Sequence, residues 1–249
     1  MNPAANQYKV QLVKHSIGLC LSLAACYCLA DDPFQHNGID KIYHPYVLPL
    51  ETEIEYRTIF QTDENSAEDE ISRHQFSVGR SITDNVYMEG YLVGKETPQD
   101  KFRLEGYELE TKIQLTEQGQ YWADWGLLLE LARERSESAN EFATVLLTEK
   151  EFGNWVGTLN FGAEYEWGSD IENEIDFQAA AQFRYRFSER FEPAVEWYED
   201  EFTSALGPIL QGLERLTGNK KVHWEIGALF PLNNTTPDTT FRFLLEFEF

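Results

Sequence analysis

Hydrophobic and polar residues alternate with a period of two along most of this chain. Successive side chains of a β-strand point to opposite faces, so the alternation predicts strands with one apolar and one polar face. Breaks rich in turn-forming residues, such as 83–85, separate the alternating stretches. The pattern predicts about twelve strands, placed at about residues 51–61, 72–82, 86–95, 107–115, 121–131, 140–150, 155–167, 175–187, 191–197, 204–216, 222–230 and 239–249.

Two of these stretches are less regular than the others. Residues 140–150 alternate, but either face could be the apolar one. Residues 204–216 carry leucine and isoleucine at positions that also fit the stripe of a helix, and Pro208 would interrupt a strand ladder. We predict a strand at 204–216 because an even number of strands requires it; a helix is the alternative.

The last stretch, 239–249, ends on Phe249 and has apolar or aromatic residues at every second position before it. It resembles the terminal strand of Gram-negative outer-membrane β-barrels. The resemblance implies that this strand closes the barrel against the first strand, at 51–61. It also implies that the strand is the signal for the barrel-assembly machinery. For this stretch alone, the alternative is an amphipathic strand at the edge of a soluble sheet.

The apolar faces are expected to point outward, to lipid. Eight strands already leave a space just wide enough for side chains, so twelve strands with apolar residues inside would leave a void that protein interiors avoid. Closure also pairs every backbone group, which a bilayer requires. We therefore predict an all-β protein, a closed up-and-down antiparallel transmembrane β-barrel of about twelve strands, over residues 51–249. A soluble all-β protein is the alternative.

The lengths of the connections suggest an orientation. If both ends of the barrel sequence are periplasmic, the short turns are periplasmic and the mostly longer loops are external, as in barrels of this class. The turns predicted to be periplasmic are 83–85, 116–120, 151–154, 188–190 and 217–220. The predicted external loops are 62–71, 96–102, 134–139, 168–173 and 231–238.

Residues 1–30 read as a secretory signal peptide, with Lys9 and Lys14 before a short apolar core and cleavage after Ala30. The alternative is a lipobox that would leave a lipid-modified Cys26 at the mature N-terminus. Residues 31–50 contain three prolines and show no period, which predicts an extended periplasmic arm that could reach into the barrel. We expect its histidines, His36 and His44, to be solvated loop residues rather than metal ligands.

The formal net charge of –23 argues against nucleic-acid binding, and an aromatic content of 14% argues against a disordered acidic chain. The side chains predicted to line the lumen are Glu53, Glu55, Arg57, Arg73, Glu89, Glu108, Glu110, Lys112, Asp124, Glu130, Glu164, Glu166, Asp176, Arg184, Arg186, Glu192, Glu196, Glu225, Arg242, Glu246 and Glu248. The side chains predicted to face lipid are Trp155, Phe161, Tyr165, Trp167, Phe177, Phe183, Phe187, Trp197, Phe241, Phe243, Phe247 and Phe249.

Acidic residues dominate the predicted lumen, and rings of carboxylates favour cations. We therefore predict an outer-membrane, porin-like channel or transporter with a cation-preferring lumen. Its expected partners are outer-membrane lipids, lipopolysaccharide and the assembly machinery. One alternative is a structural barrel filled by ion pairs between neighbouring strands. A surface role for the acidic loop at 63–70, through divalent cations and lipopolysaccharide phosphates, is a weaker possibility than simple solubility.

A lipid-modifying enzyme is the remaining alternative, although the expected pairing of histidine with serine is not evident. His74 and Ser77 are three residues apart in a predicted strand and so lie on opposite faces, which precludes a nucleophile–base hydrogen bond. His223 and Glu225 share the inward face, but no serine is near them in sequence. The sequence contains no phosphate-binding glycine loop, zinc pattern or nucleophile elbow, so no catalytic residue, metal site or cofactor is predicted.

Overall fold

The computed structural model describes residues 38–63, 69–135, 138–169 and 171–249, and over these the chain forms one closed sheet of antiparallel strands. The strands are β1 (Thr52–Thr62), β2 (Ile71–Thr83), β3 (Val86–Glu96), β4 (Arg103–Gln114), β5 (Asp124–Glu134), β6 (Asn140–Phe152), β7 (Trp155–Trp167), β8 (Glu174–Tyr185), β9 (Glu192–Glu199), β10 (Ser204–Arg215), β11 (Lys221–Pro231) and β12 (Thr239–Glu248). The predicted twelve-stranded barrel is confirmed.

Closure takes place between the first and last strands, as predicted. β1 and β12 pair antiparallel from Glu53 opposite Glu248 to Thr62 opposite Thr239. The backbone of Phe249 extends this pairing by one residue, since its N–H and C=O bond to the C=O and N–H of Thr52 at 2.9 and 3.2 Å. No strand of the barrel is left with a free edge, which is the condition for backbone inside a bilayer.

The connections divide between two ends of the barrel. Those after β1, β3, β5, β7, β9 and β11 lie at one end, which we call the loop end. Those after β2, β4, β6, β8 and β10 lie at the other, the turn end, together with Glu51 and Phe249. The connection after β4 is longer than predicted because β5 begins only at Asp124, so that Tyr121 and Ala123 belong to the turn and not to the strand.

Burial alternates along the strands, with the polar side chains on the buried, inward face. In β1, Glu53, Glu55 and Arg57 are buried while Ile54 and Tyr56 are exposed. The ambiguous register of the sixth stretch is resolved in the same way, although some of its inward side chains, such as Val145 and Leu147, are apolar. These apolar inward positions are where a further segment of the chain packs against the wall.

The strand predicted at 204–216 is confirmed as β10, and the helical alternative is wrong. Its pairing with β11 stops at Gly207 and Pro208 and then resumes in the same register at Ile209. Proline has no N–H to donate to the ladder. A Cβ at position 207 would lie 1.9 Å from the carbonyl oxygen of Ala228, so glycine is required for the close approach of the two strands.

Within the described residues, no helix is long and apolar enough to cross a membrane. The predicted signal peptide at 1–30, with its cleavage and lipidation sites, lies outside the described residues, and so does His36. The same applies to residues 64–68 of the acidic loop.

Candidate functional site: the lumen and its arm

We call residues 38–50 the arm. The arm lies inside the barrel along its length as far as Val47, and residues 48–50 are exposed at the turn end. At one end of the arm, the Cα of Gly38 is so close to Asp200, in the connection at the loop end, that an added Cβ would overlap its carboxylate. At the other end, Ser81 near the turn end donates a hydrogen bond to the carbonyl of Leu48 at 2.5 Å. The arm therefore runs through the lumen from the loop end to the turn end before it enters β1.

Apolar side chains of the arm pack on apolar patches of the inward wall. Ile39 and Ile42 belong to one buried cluster with wall residues of β9, β10 and β11, including Ile209 and Leu229. The ring of Tyr43 packs against a second cluster formed by Leu128, Val145 and Leu147. Full burial of an isoleucine side chain contributes about 1.5–3 kcal/mol, so these patches stabilise the arm in place.

The backbone of the arm is held by side chains of the wall rather than by a strand ladder. The amide of Asn160 accepts a hydrogen bond from Tyr43 N–H at 2.8 Å and donates one to Tyr43 C=O at 2.9 Å. Gln114 accepts a bond from Val47 N–H at 2.8 Å. These contacts give the extended arm the hydrogen-bond partners that a buried backbone requires.

A primary ammonium of the arm lies among carboxylates of the wall. Lys41 Nζ is 2.7 Å from Glu55 Oε2, 2.9 Å from the hydroxyl of Tyr91 and 3.7 Å from Glu89 Oε2. It also lies 5.2 Å from the ring centroid of Tyr43 and 5.5 Å from that of Tyr91. Carboxylates and aromatic faces both attract a cation, so this group of residues holds an ammonium.

Two buried arginines extend the ion pairs toward the loop end. Arg57 Nη1 is 2.9 Å from the carboxylate of Asp40 in the arm. Arg242 Nη2 is 2.8 Å from Glu196 and 3.1 Å from Glu225, and its Nη1 donates to the carbonyl of Asp40. Removing one partner of such a buried pair lowers the free energy of unfolding by about 3–5 kcal/mol. The ion pairs therefore join the arm and the wall into one electrostatic unit.

The aromatic and histidine side chains of the arm bond to further acids of the wall. The hydroxyl of Tyr43 donates to Glu110 at 2.6 Å, and that of Tyr46 donates to Asp124 at 2.8 Å. His44 Nδ1 lies 2.5 Å from Glu149 Oε2. His44 is therefore bound to a buried carboxylate, contrary to the expectation that it is a solvated loop residue.

The arm leaves a cavity of about 200 Å³ between itself and the wall. Its lining includes Lys41 and the carboxylates of Glu53, Glu89, Glu110 and Glu246. By comparison, water occupies ~30 Å³ per molecule in the liquid, so the cavity has room for a small solute. Acidic groups outnumber basic ones around it.

Glu51 precedes β1 at the turn end and lines the mouth of this cavity. Burial, together with a hydrogen bond to the neighbouring Glu248 carboxylate and the charge of that carboxylate, raises the pKa of Glu51 to about 8. Lys221 Nζ lies 3.7 Å from Glu51 and also contacts Glu248. The charge at this mouth therefore changes near neutral pH.

The structure places the residues predicted to line the lumen on the inward face, most of them in the strands. Arg186 follows β8 directly and lies 2.9 Å from Glu151. The residues predicted to face lipid lie on the opposite face, where Phe177 and Phe183 are more than half exposed. The wall of the barrel thus separates the lumen-lining residues from the lipid-facing residues, and only the lumen-lining residues contact the arm.

In the described part of the chain, the two histidines considered for catalysis, His74 and His223, are not paired with a serine. His74 is on the outer face, where its Nδ1 lies 2.9 Å from the hydroxyl of Tyr56. Ser77 is buried on the inward face and contacts Glu89. His223 Nε2 lies in the lumen, 3.6 Å from Glu225. The described residues therefore offer no nucleophile–base pair at either of these histidines.

Sequence reasoning missed the residues that receive the arm. Four leucines are fully buried on the inward face: Leu128, Leu147, Leu229 and Leu244. Leucine is not expected on a wall that faces water. The sequence did carry a signal for them, because these apolar residues occupy strand positions that alternate onto the otherwise polar face. They indicate that a further piece of chain covers the wall at those positions.

No protein-family model matches this chain, and no curated protein matches it. Its fold is similar to that of an outer membrane channel from Pseudomonas putida F1, with a TM-score of 0.57 over 84% of this chain and 98% of that one, at 13% identity. It is also similar to a KdgM porin in complex with disordered oligogalacturonate, with a TM-score of 0.52 over 79% of this chain and 98% of that one, at 10% identity.

The chain folds as a twelve-stranded outer-membrane β-barrel. At such low identities the similarity concerns the fold, because site residues are not aligned by it. What the lumen does must be argued from the side chains of this chain.

Proposed function

We propose that this protein is a porin-like channel of the Gram-negative outer membrane, with a lumen that prefers cations and is narrowed by the arm. The observation that carries this proposal is the acidic cavity beside Lys41, lined by Glu53, Glu89, Glu110 and Glu246. Rings of carboxylates line many cation channels. Two proteins of similar fold are named a channel and a porin, which supports the same class.

In this proposal the arm sets how much of the lumen is open. Leu50 joins the arm to β1, is exposed, and has a backbone φ of 65°. A non-glycine residue in this region stores strain of about 1–3 kcal/mol, so rotation at Leu50 relieves it. Since the arm is in no strand ladder, it can move about this hinge without unpairing the barrel.

Ion selectivity tests the proposal. The full-length protein is inserted in planar lipid bilayers with a gradient of KCl, and the reversal potential is measured. We expect a potential of the sign that K⁺ permeation produces, because the lumen is acidic. A potential of the opposite sign contradicts the proposal.

A structural barrel is the second candidate, and one observation favours it. The arm and the ion pairs of Arg57 and Arg242 occupy much of the lumen, and the cavity that the arm leaves beside Lys41 is about 200 Å³. This candidate predicts no conductance even when the arm is displaced. Lipids and lipopolysaccharide around the outer face, and the assembly machinery at β12, are proposed partners in either case.

A further inference from the structure

Lys41 of the arm places an ammonium among acidic side chains of the wall. Its ammonium is contributed by the arm, whereas the groups beside it, Glu55, Glu89 and Tyr91, belong to β1 and β3. Glu110 of β4 accepts a hydrogen bond from the Tyr91 hydroxyl at 3.4 Å and lines the same cavity. Glu55 and Glu89 are almost completely buried. We call these four wall residues the ammonium cage. The arm thus occupies the cage in the manner of a tethered ligand.

The cage has binding capacity that the arm does not use. Glu55 Oε1 is buried and makes no hydrogen bond within the described part of the chain. Its nearest cation on the wall is Arg57, whose Nε lies 3.7 Å away and donates its hydrogen bond to Gln75 instead. An unbonded buried carboxylate oxygen is costly, which favours a ligand with more than one N–H donor.

Displacement of the arm would leave the cage with buried carboxylates and no ammonium. Arg57 is a wall cation beside it, with Lys112 in the lining of the adjoining cavity, and Arg57 also loses its arm partner, Asp40, when the arm moves. The rigid strands keep the carboxylates in place, because each strand is paired on both sides. A solute with the charge and shape of the lysine side chain can therefore replace Lys41.

We propose that the ammonium cage is a binding site for solutes that carry a primary ammonium group, and that Lys41 is its built-in competitor. This inference rests on the proposed channel, for which it names the substrate class. The cavity next to Lys41, lined also by Glu53 and Glu246, receives the rest of the solute. Its volume of about 200 Å³ and its acidic lining suit a short linear diamine.

Binding to the Lys41→Ala variant tests the site directly. The probe is pentane-1,5-diamine, and pentane-1,5-diol is the neutral probe of the same length. Calorimetry on the refolded full-length protein should show diamine affinity at least about tenfold above that of the wild type, the effect expected for one charge-assisted hydrogen bond. The diol should not bind, and Lys220→Ala, a change in an exposed turn, should behave as the wild type.

A second substitution assigns the binding to the cage. Adding Glu55→Gln to Lys41→Ala should lower the diamine affinity about tenfold or more, because one charged acceptor is lost. Equal binding of the diol, or diamine affinity that Glu55→Gln leaves unchanged, overturns the proposal. So does a folded Lys41→Ala variant that shows no saturable binding.

If Lys41→Ala does not fold, Gly126→Leu takes its place, since it acts on the arm and leaves the cage intact. It too should raise the diamine affinity, and a folded variant without diamine binding overturns the proposal. Calorimetry does not depend on conduction, so the two ideas can fail separately. Cation conductance without diamine binding contradicts the proposed binding site and is consistent with the channel. Diamine binding without conductance contradicts the channel and is consistent with the binding site.

Discussion

Gly126 is the position at which a single substitution should release the arm. It lies on the inward face of β5, and a Cβ built there would be 2.9 Å from Pro45 Cα and 3.0 Å from Pro45 Cβ. Real Cβ atoms essentially never lie as close as 2.9 Å to another atom, and the atom at this distance is backbone; a contact of 3.0 Å is tighter than most real ones. Since β5 is paired with β4 and β6 and the arm is in no ladder, the arm must move when Gly126→Leu adds a side chain.

The size of the effect follows from the cost of overpacking. Inserting extra methylene groups into a packed site costs about 1–3 kcal/mol. In Gly126→Leu this cost arises only while the arm is docked. The docked state is therefore destabilised by the same amount relative to the displaced state. A bias of 1–3 kcal/mol changes an equilibrium by roughly 5–150-fold. We expect the ratio of open to closed time of single channels to rise by a factor in this range.

Single-channel recording in planar bilayers measures this ratio. Gly90→Leu is the matched control, because Gly90 lies in β3 on the outer face and an added Cβ there meets no atom within 4 Å. The control should conduct as the wild type does. A folded Gly126→Leu variant with an unchanged ratio of open to closed time would refute the argument that the arm closes the lumen.

Three further changes test the contacts of the arm and the wall. Asn160→Ala removes both hydrogen bonds to the Tyr43 backbone and should weaken arm docking by about 1–3 kcal/mol, seen as faster hydrogen exchange at the Tyr43 amide; unchanged exchange contradicts this. Arg242→Met leaves Glu196 and Glu225 buried without their cation and should cost about 3–5 kcal/mol, read as a lower temperature for loss of the folded form in detergent; an unaltered temperature shows that the pair is dispensable. Glu51 has a pKa raised from 4.5 to about 8, so the folded state binds its proton more tightly and stability should fall as pH rises through this window. Glu51→Gln should remove this loss in parallel melts at pH 5 and pH 9, and an identical pH dependence in the two proteins contradicts the assignment.

The barrel was predictable because its determinants are local. Alternation in β7 and β12 requires only neighbouring residues, and the outward face follows from the number of strands that must close. Even β10, with Pro208 in its middle, could be assigned from the count of strands. The start of β5 was misplaced because Tyr121 and Ala123 continue the alternation into a turn, and alternation alone does not mark where pairing stops.

The path of the arm was not predictable to the same degree, because its contacts are distant in sequence. Tyr43 bonds to Asn160, and Asp40 bonds to Arg242. The arm itself has no period, so its sequence does not specify which wall it covers. The inward leucines, Leu128 and Leu147, carried that information on the side of the wall. The cage could not be assembled from sequence, since Lys41 meets Glu89 only after the barrel closes.

The reversal potential of the Gly126→Leu channel in a KCl gradient tests the central claim most directly, because it reports on the acidic wall once the arm is displaced. The account predicts clear conductance with a potential of the sign set by K⁺. A folded variant that conducts chloride in preference to potassium, or that does not conduct, would contradict it.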